Sequence, residues 1–311
     1  MSKFYVIDAH CDTISKLVDE NASLENHDGV HVSLQGLKEG CVGIQFFAAW
    51  IGPRDKYGPH LHRGLRLIKE YNSMLKAYPD VFYPVHGITE RNTGKIGALL
   101  AVEGGEVLEG SLSNLHLLYS MGVRLMTLTW NFNNEIAGAA MDNNAEGLTT
   151  FGTEVVKEMN KLGMIIDVSH LSEEAFWDVI ELSSQPVIAS HSNAKSLCNH
   201  PRNLNDRQIE AIVSKGGVIG INFYPPFLSL QEASITSIIE HIDYIAGLAG
   251  AEGIGFGSDF DGVEYLPHGI EGPQSFPDII EELLRLNYSE ETVQKICHGN
   301  FSRVMNKIMK Q

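Results

Sequence analysis

Six residues of the 311-residue sequence have the side chains and spacing of a metal centre: His10, Asp12, Glu103, His170, His191 and Asp259. His10 and Asp12 stand two apart at the end of the extended run FYVIDAH, so both side chains point to one face and can bind one cation together. Taken alone, such a pair reads as a histidine hydrogen-bonded to a neighbouring aspartate. The other four residues change that reading. Glu103 ends the apolar stretch ALLAVE, where an ionised carboxylate is costly unless a cation or hydrogen bonds compensate it. Its two oxygens can bridge two ions; the simpler role is a strand-end carboxylate capping a helix. Gly104 and Gly105 then permit a tight turn, and Glu106 reads as solvated.

His170 and His191 end DVSH and IASH, and neutral imidazole at a strand end is a preferred nitrogen donor for zinc. A lone histidine there is more often a satisfied polar residue. Two on successive runs, beside an HxD pair and a glutamate, read as ligands. Asp167, Ser169, Ser190 and Ser192 suit the task of orienting the rings. Asp259, in GFGSDFDG, is placed to accept a proton from metal-bound water and return it to a leaving amine. Asp261 competes for that role but lies nearer Gly262, in a turn.

The elements that must position these residues are eight short apolar runs, beginning at Phe4, Val42, Ile96, Val123, Met164, Pro186, Gly217 and Gly253, each suited to a buried parallel strand. Amphipathic stretches separate them: GLRLIKEYNSMLKAY, SNLHLLYSMGV, FGTEVVKEMNKLG, SEEAFWDVIELS, NDRQIEAIVSKGG and ITSIIEHIDYIAGLAG. Ser172 and Asn205 supply helix starts, and glycines in LGM, KGG and LAG supply stops. Strand and helix in alternation imply parallel pairing. Eight units favour a closed (β/α)8 TIM barrel of the α/β class over a doubly wound open sheet, with residues 1–311 as one catalytic domain. The six residues then share the C-terminal end of the barrel, its active face. Residues 52–63 and 131–151 read as long polar connections that build a substrate pocket.

The formal charge of −16 opposes binding to nucleic acid or anionic membranes, which need a surplus of Lys and Arg. No stretch reaches the roughly 18 apolar residues of a membrane span. Four cysteines without CxxC spacing suggest reduced thiols. The N-terminal MSKFYVIDAHCDT lacks the zones of a signal peptide, so a soluble cytoplasmic protein is expected.

With these residues assembled, the chain resembles the membrane (renal) dipeptidase family, a zinc-dependent branch of the amidohydrolase superfamily, and its bacterial cytoplasmic members most. The resemblance rests on DAHCDT at Asp8–Thr13, AVEGGE at Ala101–Glu106, DVSH at Asp167–His170, SHSNA at Ser190–Ala194, HPRN at His200–Asn203, NFY at Asn222–Tyr224 and GSDFDG at Gly257–Gly262. It implies two Zn2+ ions per chain, one on His10 and Asp12, the other on His170 and His191, bridged by Glu103, with Asp259 at the bridging water. It implies Arg202 pairing with the terminal carboxylate of a dipeptide, Tyr224 nearby, and Asn131 and Trp130 beside the substrate. Mammalian members carry a histidine where Trp130 stands, a residue that helps stabilise the attacked carbonyl oxygen. Trp130 offers only an indole N–H, so that role is not carried over to it; Asn131 or Asn133, zinc itself or a repositioned loop could supply the stabilisation.

The resemblance thus implies a metallo-dipeptidase that uses a metal-bridging hydroxide on dipeptides, including L-Xaa-D-Xaa such as L-Ala-D-Ala, and a homodimer. Two alternatives stand beside it: another amidohydrolase reaction, deaminase or phosphoesterase, and a non-catalytic barrel that holds metal and peptide.

Overall fold

The computed structural model describes residues 4–25, 29–87 and 94–309. Its strands are β1 (Val6–Asp8), β2 (Val42–Trp50), β3 (Phe82–Pro84), β4 (Ile96–Glu103), β5 (Val123–Thr127), β6 (Ile165–Asp167), β7 (Ile188–Ala189), β8 (Val218–Ile221) and β9 (Ile254–Phe256). Every pairing is parallel. The order runs β2-β1-β9-β8-β7-β6-β5-β4, and β2 pairs again with β4, so eight strands close on themselves as the sequence suggested. All eight expected runs contain a strand; β2 and β4 fill their runs, and the other six are shorter than the apolar run that announced them. The added strand, β3, pairs with Ile96–Ala98 at the foot of β4, below the point where β5 joins at Leu100.

Two apolar clusters divide the core. Ile7, Ile44, Leu99, Leu125, Ile165, Ile188 and Val218, each from a different barrel strand, fill the interior with Phe301, Val304, Met305 and Ile308 of the helix Asn300–Ile308. At β9 the corresponding position is Gly255, and a side chain there would strike the Phe301 ring. That helix closes the bottom of the barrel, and truncating its buried Phe301 to Ala would cost about 3–5 kcal/mol. The larger cluster lies between the strands and the surrounding helices. Leu99 and Ala101 face the interior, so by period-two alternation Glu103 does too, on the uppermost layer.

All six expected helices form. Ser172 accepts from the Ala175 amide, and Asn205 makes a reciprocal capping box with Gln208. Gly163 ends its helix in the left-handed region, φ 77°. Helices at Thr13–Asp19, Leu34–Glu39, Phe276–Arg285 and Asn300–Ile308 have no counterpart among the expected ones. The polar stretch 52–63 is not a plain connection: it holds a one-turn helix, Arg54–Tyr57, and the start of the helix His60–Ala77. The cysteines are free thiols. Among the described residues no helix is long and apolar enough to cross a membrane.

Candidate metal centre

Strand ends bring the six residues together. Glu103 occupies the middle: Oε1 lies 3.0 Å from His170 Nε2 and 3.4 Å from His191 Nε2, while Oε2 lies 3.5 Å from His10 Nε2. His10 Nε2 is in turn 3.3 Å from Asp12 Oδ2 and 3.8 Å from Asp259 Oδ1. Among the described residues two groups have the proximity needed to hold an ion: His10 with Glu103 and His191, and His10 with Asp12 and Asp259.

The hydrogen-bond network sets which ring nitrogens carry protons. Ser190 Oγ donates to Asp167 Oδ2 at 2.5 Å, so toward His191 Nδ1, 2.7 Å away, it can only accept. His170 Nδ1 faces Asn131 Oδ1 at 3.0 Å, another acceptor. Both Nε2 atoms therefore present lone pairs, 3.0 Å apart and aimed at Glu103 Oε1. Three acceptors at that spacing, buried, repel one another unless a cation lies among them. On the other side, Asp12 Oδ1 and His10 Nδ1 are buried without a hydrogen-bond partner. The donor set fits divalent metal ions bound by imidazole and carboxylate.

Electrostatics follow the same division. Burial, helped by the Arg202 charge, lowers His170 to about 4, and burial with the His10 charge holds His191 well below its ordinary value. Burial also pulls His10 down, but the Glu103 and Asp12 carboxylates outweigh it and raise His10 well above normal. Asp12 and Asp259 are raised, chiefly by burial. His170 (φ 71°) and Asp259 (φ 64°) adopt left-handed backbone that non-glycine residues rarely take, a strain found where side chains must be aimed. Gly262 lacks a side chain where a Cβ would collide with Asp12 Oδ2 and crowd Asp259 Oδ1.

Outer residues hold the inner ones. Asp167 accepts from Thr127 Oγ1 at 2.6 Å and from the amides of Ser169 and Ser190 at 3.0 and 2.9 Å, making a fixed base for the Ser190–His191 contact. Asn222, named only as part of NFY, donates from Nδ2 to Asp259 Oδ2 at 2.9 Å and accepts from the Tyr224 amide at 2.5 Å. Its own amide donates to Asn193 Oδ1 at 3.1 Å. Asp261 does not compete with Asp259. It accepts from Thr13 Oγ1 at 2.7 Å and from the His31 amide at 2.5 Å, and so anchors a loop.

Above the centre opens a cavity of about 850 Å³, walled by Trp50, Tyr57, Trp130, Asn131, Tyr224 and Phe227. Trp130 packs edge-on against Trp50, ring centres 5.1 Å apart. Burial and the neighbouring Glu264 carboxylate push Tyr224 up to about 12. Arg202 is placed differently. Its Nη2 donates to the His191 carbonyl at 3.2 Å, and the side chain borders a smaller cavity of about 180 Å³ behind His170. His170 borders both cavities, and the guanidinium lies 5.6 Å from the ring centre of Phe227, a wall of the larger one. Burial lowers Arg202 to about 10.

Glu106 is half-buried rather than fully solvated. The turn Gly105–Leu108 folds its carboxylate back over Gly104, Asn134 Nδ2 donates to Oε2 at 2.9 Å, and burial raises it to about 7. It lies at a further cavity of about 770 Å³ that shares Lys56 and Trp130 with the first.

Residues 1–311 match the family model described as membrane dipeptidase, peptidase family M19. The chain is 33% identical to dipeptidase 3 of Mus musculus over 99% of its own length and 65% of that protein's. It is 32% identical to dipeptidase 3 of Homo sapiens over 100% of the chain and 66% of that protein, so it spans about two thirds of these relatives. An uncharacterized dipeptidase of Schizosaccharomyces pombe is 34% identical over 94% of the chain and 76% of that protein. Among solved structures, a dipeptidase of family M19 superposes with a TM-score of 0.90 at 28% identity, covering 99% of both chains. A Rhodobacter sphaeroides metallo peptidase, liganded with a phosphinate mimic of the dipeptide L-Ala-D-Ala, gives 0.89 at 27% identity, covering 99% of this chain and 100% of the other.

Proposed function

The chain belongs to the membrane dipeptidase family, peptidase family M19, and on that premise we propose that it is a metallo-dipeptidase that hydrolyses dipeptides, L-Ala-D-Ala among them, with two Zn2+ ions per chain. The observation that carries this reading is the division of Glu103, with one oxygen toward His170 and His191 and the other toward His10. His10 and Asp12 would hold one ion, His170 and His191 the other, and Glu103 would lie between them. Bound zinc supplies Lewis acidity to the scissile carbonyl and to the attacking water.

The chain's own residues do the rest. Asp259, held by Asn222, takes the proton from the attacking water and passes it to the leaving amine. Asn131 aims the His170 ring, and Trp130 closes one wall of the cavity over Glu103. Arg202 and Tyr224 receive the substrate carboxylate, for which a planar guanidinium is suited. The reading also includes a cytoplasmic homodimer; light scattering on the purified protein checks the dimer.

Zinc-loaded protein is incubated with L-Ala-D-Ala, L-Ala-L-Ala and a broad dipeptide panel, and free amino acid is measured; no release from any of them would sink the proposal. Asp259→Asn is expected to lower kcat about 10²–10⁴-fold with metal content retained. An Arg202→Ala variant with unchanged turnover and KM would favour a deaminase or phosphoesterase reaction instead.

A further inference from the structure

Glu106 is a half-buried carboxylate that the proposed reaction leaves unused. It stands three residues after Glu103, and its position depends on Gly104, whose φ of 110° only glycine adopts readily and whose Cβ would lie 2.6 Å from Glu106 Oε1. Its side-chain partner, Asn134 Nδ2, is neutral and also donates to the Leu128 carbonyl at 2.9 Å. A carboxylate drawn out of water with only a shared side-chain amide and its own backbone amide as donors is costly to keep ionised.

The rest of the cavity offers it little more. Asn134 Oδ1 accepts from the Ile136 and Ala137 amides, while Asn133 is taken up by the Ala139 amide and the Asn144 carbonyl. Arg54 and Lys56 at the mouth are exposed, as are Asp55 and Glu135, so water screens all four. Lys56 is turned to the Tyr57 ring, 4.9 Å from its centre. The walls are Trp130 and Phe132, packed edge-to-face with centres 5.8 Å apart, and Phe132 is 60% exposed. Aromatic faces around a half-buried carboxylate suit a cation.

We propose that this cavity is a side-chain subsite for dipeptides bearing an ammonium or guanidinium group, and that Glu106 is the residue that selects them. The proposal rests on the dipeptidase reading for the placement of the substrate backbone over Glu103. Trp130 and Lys56 border both cavities, so a long side chain leaving the first passes Trp130 into the second.

The test compares kcat/KM for Lys-Ala and Ala-Lys with their norleucine counterparts, which keep the chain length and lose the charge. The intact protein is expected to favour one lysine dipeptide about tenfold or more over its counterpart, as a charge-assisted contact implies. In Glu106→Gln that ratio falls toward one, by a rise in KM. An equal loss on charged and uncharged dipeptides, or no preference in the intact protein, would overturn the subsite. Calorimetric titration with the same four dipeptides reads binding alone. Failure to cleave any of them counts against the dipeptidase reading, and the binding ratio then decides the subsite.

Discussion

His170 and His191 each commit their outer ring nitrogen to a protein partner, Asn131 at 3.0 Å and Ser190 at 2.7 Å, whereas His10 and Asp12 each keep a buried polar atom, Nδ1 and Oδ1, with none. The histidine half is thus aimed before any ion arrives. The carboxylate half, with Asp12 and Asp259 crowded around His10, depends on the ion itself to settle its charges. Outer hydrogen bonds of the first kind are worth about 10–100-fold in metal affinity. The two halves should therefore answer differently to the same kind of damage.

Glu103→Ala should have the largest effect, because both halves share that side chain. Loss of bound metal at both positions and a fall in activity of about 10³-fold or more are expected, read by elemental analysis and dipeptide release. One full equivalent of metal retained would show the halves to be independent. Gly262→Ala comes next, since a Cβ there collides with Asp12 and crowds Asp259. It should empty the carboxylate half and spare the histidine half, seen as metal content falling from two equivalents to one.

Ser190→Ala strikes the other half from outside. It frees the His191 ring and should weaken metal retention there about 10–100-fold in a chelator competition, without moving the His10 side. The smallest effect is on the thermal stability of metal-free protein. His170 is depressed from 6.5 to about 4, so its contribution is present above 6.5 and lost as pH falls toward 4. His10 is raised above 6.5, so its contribution is full below 6.5 and fades as pH rises through the raised value. Melting curves of His170→Ala should lose the acid decline and those of His10→Ala the alkaline one. Identical curves would erase the contrast between the halves.

The sequence made much of this legible because the chemistry sits at strand ends. Buried parallel strands announce themselves as apolar runs, and a polar residue closing one is conspicuous, which is how Glu103, His170 and His191 stood out. Strand β3, three residues long and half-exposed at Tyr83, leaves no such mark. The partial shelter of Glu106 leaves no mark in the sequence, because it depends on Gly104 turning the chain back and on Asn134, 28 positions away. Asp259 and Asp261 compete for one role in SDFDG; contacts of Asp261 with Thr13 and with the amide of His31, 248 and 230 positions away, separate their tasks. Arg202 borders the smaller cavity behind His170 rather than lining the larger one, an outcome of side-chain packing that its place in HPRN does not reveal.

The seam where the barrel closes has a kinetic consequence. Strands β1 and β9 share a single register pair, Asp8 with Phe256, and the join is completed by Ser258 on Asp8 and by Thr13 on Asp261, contacts spanning 250 and 248 positions. Glu103, His170 and His191 can meet once β7 has formed, but Asp259 and Asp261 join the nascent protein only with its last strand. Closing so long a loop is slow, and the segment before it must wait with one sheet edge unpaired. An ion captured early by the histidines would stabilise that waiting intermediate, so refolding in the presence of zinc should be faster and less prone to aggregation than refolding without it.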